Sequence, residues 1–263
     1  MSRGSSRPLT RSRPEDVSSD PKPESLVARG REIDLRHVER GLSEVPDDRF
    51  TFILSHATKL VPDRPGLRIA DIGCAAGAFL FQARVSYPSA ALFGVDILSA
   101  LVDAAEQLVP HARFFVGDAR SPELARLGPV DVGFMVTVHS LFDDVDEWLD
   151  PFLSLLGHGG HGFVFGLFNP HPIDVLVKVR RSGSEAPFDP GWNMVSKDTM
   201  RRHLGVRGRQ VVFDDYRPGT PKLPDPHDPL RSWTEALGDE GRVLINGAQL
   251  IHRFSLMTVL PLA

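Results

Sequence analysis

Short apolar runs alternate with helical patterns through the middle of the chain. The apolar runs predict strands at Arg68–Ile72, Ala91–Val95, Arg113–Val116, Val130–Val138 and Gly162–Phe168. Between these runs, apolar residues at helical spacing predict helices at Ala76–Ser86, Ser99–Val109 and Asp143–Leu156, and Asp143 or Asp144 is the expected cap of the last helix. Repeated alternation of strand and helix is typical of a mostly parallel sheet that is covered by helices on both faces.

A clear helical pattern precedes the first strand. Phe50, Ile53 and Leu54 begin an apolar stripe that continues to Val61; Asp47 or Asp48 is the expected cap, and Pro62 ends the pattern. A weaker helical pattern covers residues 24–41. Residues 1–23 are rich in Ser, Arg and Pro and have little to bury, so we expect a disordered tail there.

The alternating rhythm stops after Phe168. Ser196 is the predicted cap of a helix that ends near Leu204, and Gln210–Tyr216 is a predicted strand. Residues 217–232 contain five prolines and predict a long loop, which in a compact domain is usually functional or mobile. Two further segments predict a hairpin around an Asn-Gly turn, namely Val243–Ile245 and Gln249–Leu260.

The segment Leu67–Gly77 reads L-R-I-A-D-I-G-C-A-A-G and joins the first predicted strand to a helix. A helix N-terminus offers free N–H groups and a partial positive charge, and glycine lets the backbone approach a ligand closely. This pattern predicts a binding place for a nucleotide-like ligand.

Acidic residues close three successive predicted strands. Asp71, Asp96 and Asp118 all fall at carboxyl ends, and these ends form the ligand-binding edge of a parallel sheet. A carboxylate after the second strand can accept hydrogen bonds from both hydroxyls of a ribose, and one after the third strand can accept from the amine of an adenine. Together with the glycine turn, the three acids predict a cofactor site.

The spacing of the glycines disfavours a dinucleotide. Gly73, Ala75 and Gly77 give G-x-A-x-G, which lacks the third glycine of the dinucleotide fingerprint. The sequence also has no G-x-x-x-x-G-K-[ST] phosphate loop. We therefore expect a nucleoside-like ligand without a pyrophosphate.

These segments resemble the class I S-adenosylmethionine-dependent methyltransferases. D-I-G-C-A-A-G at 71–77 resembles the first motif of that family, with Ala75 in place of the usual middle glycine. M-V-T-V-H-S-L-F-D-D at 135–144 resembles the segment at the fourth strand. L-L-G-H-G-G-H-G-F-V at 155–164 resembles the turn into the fifth strand, with His158 in place of the usual proline. The resemblance covers residues 50–169 well and the remainder loosely.

The resemblance implies a doubly wound, Rossmann-like α/β fold. Its sheet would have seven strands, mostly parallel with an antiparallel last strand, which matches a chain that ends in a hairpin. We expect a single methyltransferase domain over 24–263. Its parts would be N-terminal helices at 24–61, a cofactor-binding half at 66–169, substrate-side insertions and strand six at 170–250, and the last strand at 251–263.

The family relationship also implies a cofactor, S-adenosyl-L-methionine, and the residues around it. By resemblance, the amino-acid part of the cofactor would lie against Asp71, Gly73, Cys74, Ala75 and Gly77. Asp96 and Ile97 would lie at the ribose, Asp118 and Ala119 at the adenine, and Val138 and His139 near the methionyl group. Cys74 is the only cysteine, which excludes an intrachain disulfide, and we expect it to be a small filler beside the cofactor.

Methyl transfer is an in-line displacement from a sulfonium, so the protein mainly positions the acceptor. An oxygen acceptor must also lose a proton. His139, at the end of the fourth predicted strand, and His171, just past the fifth, are the candidate catalytic bases. Their ordinary alternatives are a histidine that lines the cofactor pocket and a surface-loop histidine. No metal-ligand spacing such as H-E-x-x-H is present, so we predict no metal site.

Charge limits the choice of acceptor. A net charge of -4 and a pI near 6.2 disfavour nucleic acid and favour a small molecule, which we predict is methylated on a hydroxyl oxygen of a sugar or specialised metabolite. Two alternatives stay open. One is an RNA or DNA methyltransferase that uses a basic patch formed by Lys178, Arg180, Arg181, Arg201, Arg202, Arg207 and Arg209. The other is a non-catalytic regulator that binds the cofactor.

Location is predicted from what the sequence lacks. No apolar run approaches the roughly 20 residues that cross a bilayer, and the N-terminus has no apolar signal region. We therefore expect a cytoplasmic protein without membrane contact. The sequence does not predict the oligomeric state.

Overall fold

A computed structural model describes residues 38, 41–43, 45–180, 182–185, 187–219, 221–225, 230–236 and 241–262. The disordered tail predicted at 1–23 and most of the helical pattern at 24–41 lie outside these residues. In the described part of the chain, no helix is both long and apolar enough to cross a membrane.

The main sheet has the strand order β3-β2-β1-β4-β5-β13-β9, and the two-residue strand β8 also pairs with β5. Its strands are β1 Arg68–Ile72, β2 Ala91–Asp96, β3 Ala112–Val116, β4 Val130–Val136, β5 Leu156–Asn169, β8 Val195–Ser196, β9 Val211–Asp215 and β13 Phe254–Val259. Strands β1 to β5 are parallel, whereas β13 is antiparallel to both β5 and β9. The doubly wound fold with an antiparallel last strand is therefore confirmed.

Helices cover both faces of this sheet. They are α1 Asp48–Leu60, α2 Ala78–Ser86, α3 Ser99–Leu108, α4 Val145–Leu155 and α5 Lys197–Gly205. One apolar cluster joins α1, α2 and α3 to the sheet, with Ile53, Leu80 and Val102 buried. A second cluster joins α4 and α5 to the opposite face, with Trp148 and Met200 buried. Burial of these two apolar layers holds the strand ends, and thus the site, in place.

The predicted caps are confirmed. Asp47 accepts a hydrogen bond from the Arg49 N–H at the start of α1, and Ser196 accepts one from the Thr199 N–H at the start of α5. Asp144 caps α4 in the same way. Each carboxylate or hydroxyl satisfies an N–H group that the first helical turn leaves without a partner.

Two small sheets lie in the insertions. Strands β6 Lys178–Val179 and β7 Asp189–Pro190 pair with each other, and β10 Trp233–Ala236, β11 Arg242–Ile245 and β12 Ile251–His252 form an antiparallel sheet. The prediction of one continuous strand over Gln249–Leu260 is wrong, because the strand breaks at Arg253. Its first part pairs with β11, and its second part, β13, enters the main sheet.

The predicted hairpin around Asn246-Gly247 is present, and its loop is longer than the Asn-Gly pair. Ile245 pairs with Ile251, so residues 246–250 form the loop. The Asn246 side chain accepts a hydrogen bond from the Ala248 N–H, and its backbone carbonyl accepts one from the Gln249 N–H. Asparagine thus shapes a longer turn by bonding to its own backbone.

Candidate active site

The turn between β1 and α2 is tightly folded. Gly73 and Gly77 have φ values of 79° and 83°, and Ala75 has a φ of 46°. The N–H groups of Gly73 and Cys74 donate to the Val95 carbonyl at 2.7 and 2.9 Å, which ties the turn to the end of β2. Gly77 precedes α2 and provides no side-chain cap, so the start of that helix faces the ligand edge with free N–H groups.

Gly73 also packs directly against the end of β4. A Cβ atom built on Gly73 would lie 2.2 Å from Cγ2 of Val138. Glycine is therefore required here both by the left-handed backbone and by the close approach of Val138. This contact brings together two segments that the sequence predicted for the same cofactor.

Asp96 organises the turn from the neighbouring strand. Its carboxylate accepts hydrogen bonds from the Ala75 N–H at 2.9 Å and from the Leu98 N–H at 3.0 Å. The side chain is buried, and Ile97 beside it is half-buried. The carboxylate predicted for the ribose thus also fixes the backbone that surrounds the ligand site.

Asp71 is a buried acid at the end of β1. It is 1% exposed, and its Oδ1 atom has no hydrogen-bond partner among the described residues. Burial, together with the negative charge of Asp96, raises its pKa to about 8. A cationic group of a ligand would relieve both effects, so this carboxyl group suits a ligand that carries an ammonium.

Asp118 is held by a residue that sequence reasoning missed. Arg120 donates to Asp118 from its N–H at 2.9 Å and from its guanidinium Nη2 at 2.6 Å. Burial alone would raise the pKa of Asp118, but the hydrogen bonds from Arg120 bring it below the ordinary value. Asp118 and Arg120 line a cavity of ≈ 330 Å³ together with Ser121 and Glu147.

The sequence held a weak indication of the pairing between Arg120 and Asp118. An arginine two positions after an aspartate in a turn can fold back onto that carboxylate, as D-A-R at 118–120 does. The guanidinium of Arg120 also lies 5.8 Å from the ring centre of Phe142. Ala119, between the two charged residues, is buried.

The backbone is strained just after β4. Thr137 has a φ of 62°, which is unusual for a β-branched residue, and its N–H donates to the Phe165 carbonyl at 2.7 Å. Such strain persists where the surrounding structure requires it, and it often occurs at functional sites. It turns the chain so that Val138 faces Gly73.

His139 lies in the core. Its side chain is 0% exposed and stacks on Phe168 with ring centres 4.5 Å apart. Its Nε2 atom lies 3.3 Å from the Leu167 carbonyl and 3.3 Å from the Ser140 hydroxyl. Burial lowers its pKa to about 4, so the imidazole is neutral at physiological pH. Its predicted role as a catalytic base stays a prediction.

His171 is exposed at the same edge of the sheet. It follows the end of β5 in a turn closed by Asn169, whose side chain accepts from the His171 N–H at 3.1 Å and donates to the Ile173 carbonyl at 2.8 Å. The imidazole makes no hydrogen bond within the described chain. The structure therefore leaves this ring accessible beside the carboxyl ends of the strands.

Cys74 points into the protein. The side chain is 4% exposed, and a Cβ built on Gly94 of β2 would lie 2.8 Å from its sulfur. Burial and the charges of Asp71 and Asp96 raise the pKa of the thiol well above its usual value. An un-ionised thiol in this position packs as a small side chain and is a poor nucleophile.

Comparison with known proteins agrees with this geometry. A family model described as a methyltransferase domain matches residues 69–160. Trans-aconitate 2-methyltransferase from Deinococcus radiodurans is 37% identical over 60 residues, which are 22% of this chain and 23% of that protein. The match thus spans less than a quarter of that relative.

Solved structures share the fold. One of them is phosphoethanolamine N-methyltransferase 2 of Haemonchus contortus, which was solved with phosphomonomethylethanolamine and S-adenosylhomocysteine. It is 13% identical to this chain, with a TM-score of 0.57, and the likeness covers 90% of this chain and 59% of that chain. A chain in the complex between the Haloferax volcanii Trm112 methyltransferase activator and a methyltransferase is 17% identical with a TM-score of 0.54. That likeness covers 82% of this chain and 91% of the other.

Proposed function

We propose that this chain methylates a small molecule on a hydroxyl oxygen. The proposal starts from the membership of this chain in the class I S-adenosylmethionine-dependent methyltransferases. A sugar or specialised metabolite is the proposed class of acceptor. The observation that carries the proposal is the glycine turn held by Asp96 beside the buried, unpartnered carboxyl oxygen of Asp71.

S-adenosylmethionine is the cofactor, and it supplies a methyl group on a sulfonium. We assign its amino-acid part to Asp71 and the turn residues 73–77, since Asp71 gains a cationic partner there and the turn offers N–H groups. Its ribose is assigned to Asp96 and Ile97. Its adenine is assigned to Asp118 and Ala119, next to the cavity lined by Arg120.

The charge distribution supports a small acceptor over nucleic acid. The basic residues from 178 to 209 are largely engaged by neighbouring groups: Lys178 pairs with Asp143, Arg201 with Asp198, and Arg207 with Asp146 and Asp150. Arg209 donates to backbone carbonyls, and Arg181 lies outside the described residues. A patch whose charges are already compensated attracts phosphates weakly.

Of the two predicted bases, His171 has the geometry that this chemistry needs. A base must reach the proton of the acceptor within hydrogen-bond distance. His171 is exposed at the ligand edge, whereas His139 is enclosed and stacked on Phe168. We propose that His171 takes the proton and that His139 supports the end of β4.

Calorimetry with S-adenosylmethionine and S-adenosylhomocysteine tests the cofactor site, and absence of binding by both would reject the proposal. A labelled-methyl assay with hydroxylated metabolites and bulk RNA then identifies the acceptor class. Preferential labelling of RNA would contradict a small-molecule acceptor.

His171→Ala should lower kcat at least ~10-fold, within the usual contribution of a general base, with cofactor affinity unchanged. His158→Ala is the matched control, because His158 is also exposed but lies near the start of β5, at the end of that strand opposite to His171. Equal kcat for the two variants would remove His171 as base.

A further inference from the structure

A second cavity begins just after the carboxyl end of β9. Strand β9 runs parallel to β5, because both are antiparallel to β13. The end of β9 therefore reaches the same edge as the end of β5, and the Tyr216 N–H continues the pairing by donating to the Phe254 carbonyl. Arg217 and Pro218, the next residues, begin the wall of this cavity.

The cavity has the size of a small-molecule site. Its volume is ≈ 480 Å³, within the usual range for ligand pockets, and it is lined by Arg217, Pro218, Ala236, Gly241 and Arg242. Both charged lining residues are arginines. No carboxylate is among these lining residues.

The side chains of the two arginines have no charged partner among the residues that the structure describes. Arg217 and Arg242 are exposed, and neither side chain makes a hydrogen bond or ion pair within the part of the chain that the structure describes. Arg64, Arg120 and Arg207, by contrast, each pair with a carboxylate. Two guanidinium groups on one cavity, with no carboxylate beside them in the described part of the chain, are suited to a carboxylate or phosphate, which arginine can bind through paired hydrogen bonds.

The walls that carry these arginines are held by hydrogen bonds. The Gly219 N–H donates to the Asp48 carboxylate at 3.2 Å, which ties the segment after β9 to the start of α1. The Lys222 N–H donates to the Thr234 hydroxyl, and the Thr234 N–H donates to the Lys222 carbonyl. Arg242 pairs with Ala236 across the β10–β11 ladder. The backbones of both arginines therefore lie on anchored segments, which lowers the entropy cost of binding a ligand between them.

We infer that this cavity binds an anionic group of the methyl acceptor, a carboxylate or a phosphate, through Arg217 and Arg242. The inference rests on the proposed function and narrows its acceptor to a hydroxylated anion. The cavity and the cofactor turn both follow carboxyl ends of strands in the main sheet. An acceptor that is held in the cavity by its anionic end can therefore extend along these strand ends toward His171.

Direct binding tests the site without knowledge of the acceptor. Calorimetry of the full chain with citrate and with inorganic phosphate, each with and without S-adenosylhomocysteine, should detect binding of at least one anion. Arg217→Ala/Arg242→Ala should weaken that binding at least ~10-fold, and Arg217→Lys/Arg242→Lys should weaken it less because the charge remains. A tighter citrate complex indicates a carboxylate acceptor, and a tighter phosphate complex indicates a phosphorylated one.

Arg113→Ala is the matched control. Arg113 is exposed and belongs to β3, the last strand on the side of the main sheet opposite to β9, and its side chain makes no hydrogen bond within the described residues. It should leave anion binding unchanged. Binding of neither anion to the wild-type chain, or equal binding to the double alanine variant, would overturn the inference.

The labelled-methyl assay provides the second measurement. Hydroxylated acids and phosphate monoesters should be methylated in preference to their amides or neutral alcohols, and the double alanine variant should raise KM for the charged acceptor with kcat retained. Preference for neutral acceptors would reject the anion site. Failure to bind S-adenosylmethionine would instead reject the proposed function, while anion binding measured without cofactor still decides the arginine site.

Discussion

If the cofactor binds at Asp71 as we propose, this carboxyl group couples the stability of the free protein to ligand binding. Its pKa in the folded chain is about 8, whereas its ordinary value is 3.8. The folded state therefore holds a proton that the unfolded state releases between these two values. Its contribution to stability is complete below about pH 4 and is lost as the pH rises toward 8.

Asp71→Asn should remove this loss. Between pH 5 and 8, the free energy of unfolding of the ligand-free wild type should fall more steeply than that of the variant, as urea denaturation measures it. At pH 7 the wild type should also release protons when S-adenosylhomocysteine binds, because the ammonium of that ligand favours the carboxylate. The variant should release fewer protons and bind at least ~10-fold more weakly, as expected for a lost charge-assisted contact.

Calorimetry in buffers of different ionisation enthalpy measures the proton release. Parallel pH–stability curves for the two proteins, together with equal proton release, would show that Asp71 is ionised in the free protein.

The sequence pattern predicted where the acidic residues lie but not which contacts the individual side chains make. The sequence predicted Asp71, Asp96 and Asp118 at the ends of strands, and the structure has them there. The prediction succeeds because the length and burial of each strand follow its apolar run. The sequence did not predict that Arg120 folds onto Asp118, since side-chain pairing in a turn depends on the backbone angles. Nor did it predict the burial of His139, which follows from the strained turn at Thr137.

Between elements, the decisive contact is that of the β1–α2 turn with the end of β4. Gly73 has the left-handed conformation and also lacks the Cβ that would collide with Val138. Gly66 has nearly the same φ, 81°, but a Cβ there would meet nothing within 4 Å. Comparing alanine variants at the two glycines therefore distinguishes the free-energy cost of backbone strain from the free-energy cost of the clash with Val138.

Gly66→Ala should destabilise the chain by about 1–2 kcal/mol through backbone strain and leave cofactor affinity unchanged. Gly73→Ala should cost about 1–3 kcal/mol more, because the new methyl group displaces Val138, and should weaken cofactor binding at least ~10-fold. Urea denaturation and calorimetry measure the two effects. Val138→Ala in the Gly73→Ala background should recover part of the free energy of unfolding. No recovery would show that the new methyl group is accommodated by a movement other than that of the Val138 side chain.

Elements with local signals were predicted better than those with long-range partners. The caps at Asp47, Asp144 and Ser196 depend on nearby residues, and the structure confirms them. The break at Arg253 depends instead on which strand each half joins. Ile251 pairs with β11, while Phe254 pairs with Leu167 of β5, far away in the sequence. An apolar run cannot specify two such partners.

Across the whole molecule, the two sites that we propose lie at the carboxyl ends of the strands of one sheet. The proposed cofactor half comprises the ends of β1, β2, β3 and β4, and the proposed acceptor half comprises the ends of β5 and β9 with the small sheet of β10, β11 and β12. Strand β5 belongs to both halves, since it pairs with β4 on one side and with β13 on the other. Each half therefore should respond to its own ligand.

Hydrogen–deuterium exchange separates these responses, because a ligand protects the amides whose opening it suppresses. S-adenosylhomocysteine alone should slow exchange in residues 73–77, 96–98 and 118–120 and leave 217–219 and 242–245 unchanged. Addition of citrate or phosphate should then protect 217–219 and 242–245 in the wild type but not in Arg217→Ala/Arg242→Ala. Equal protection of both sets by S-adenosylhomocysteine alone would mean that the two half-sites close as one unit, with β5 as the element that couples them.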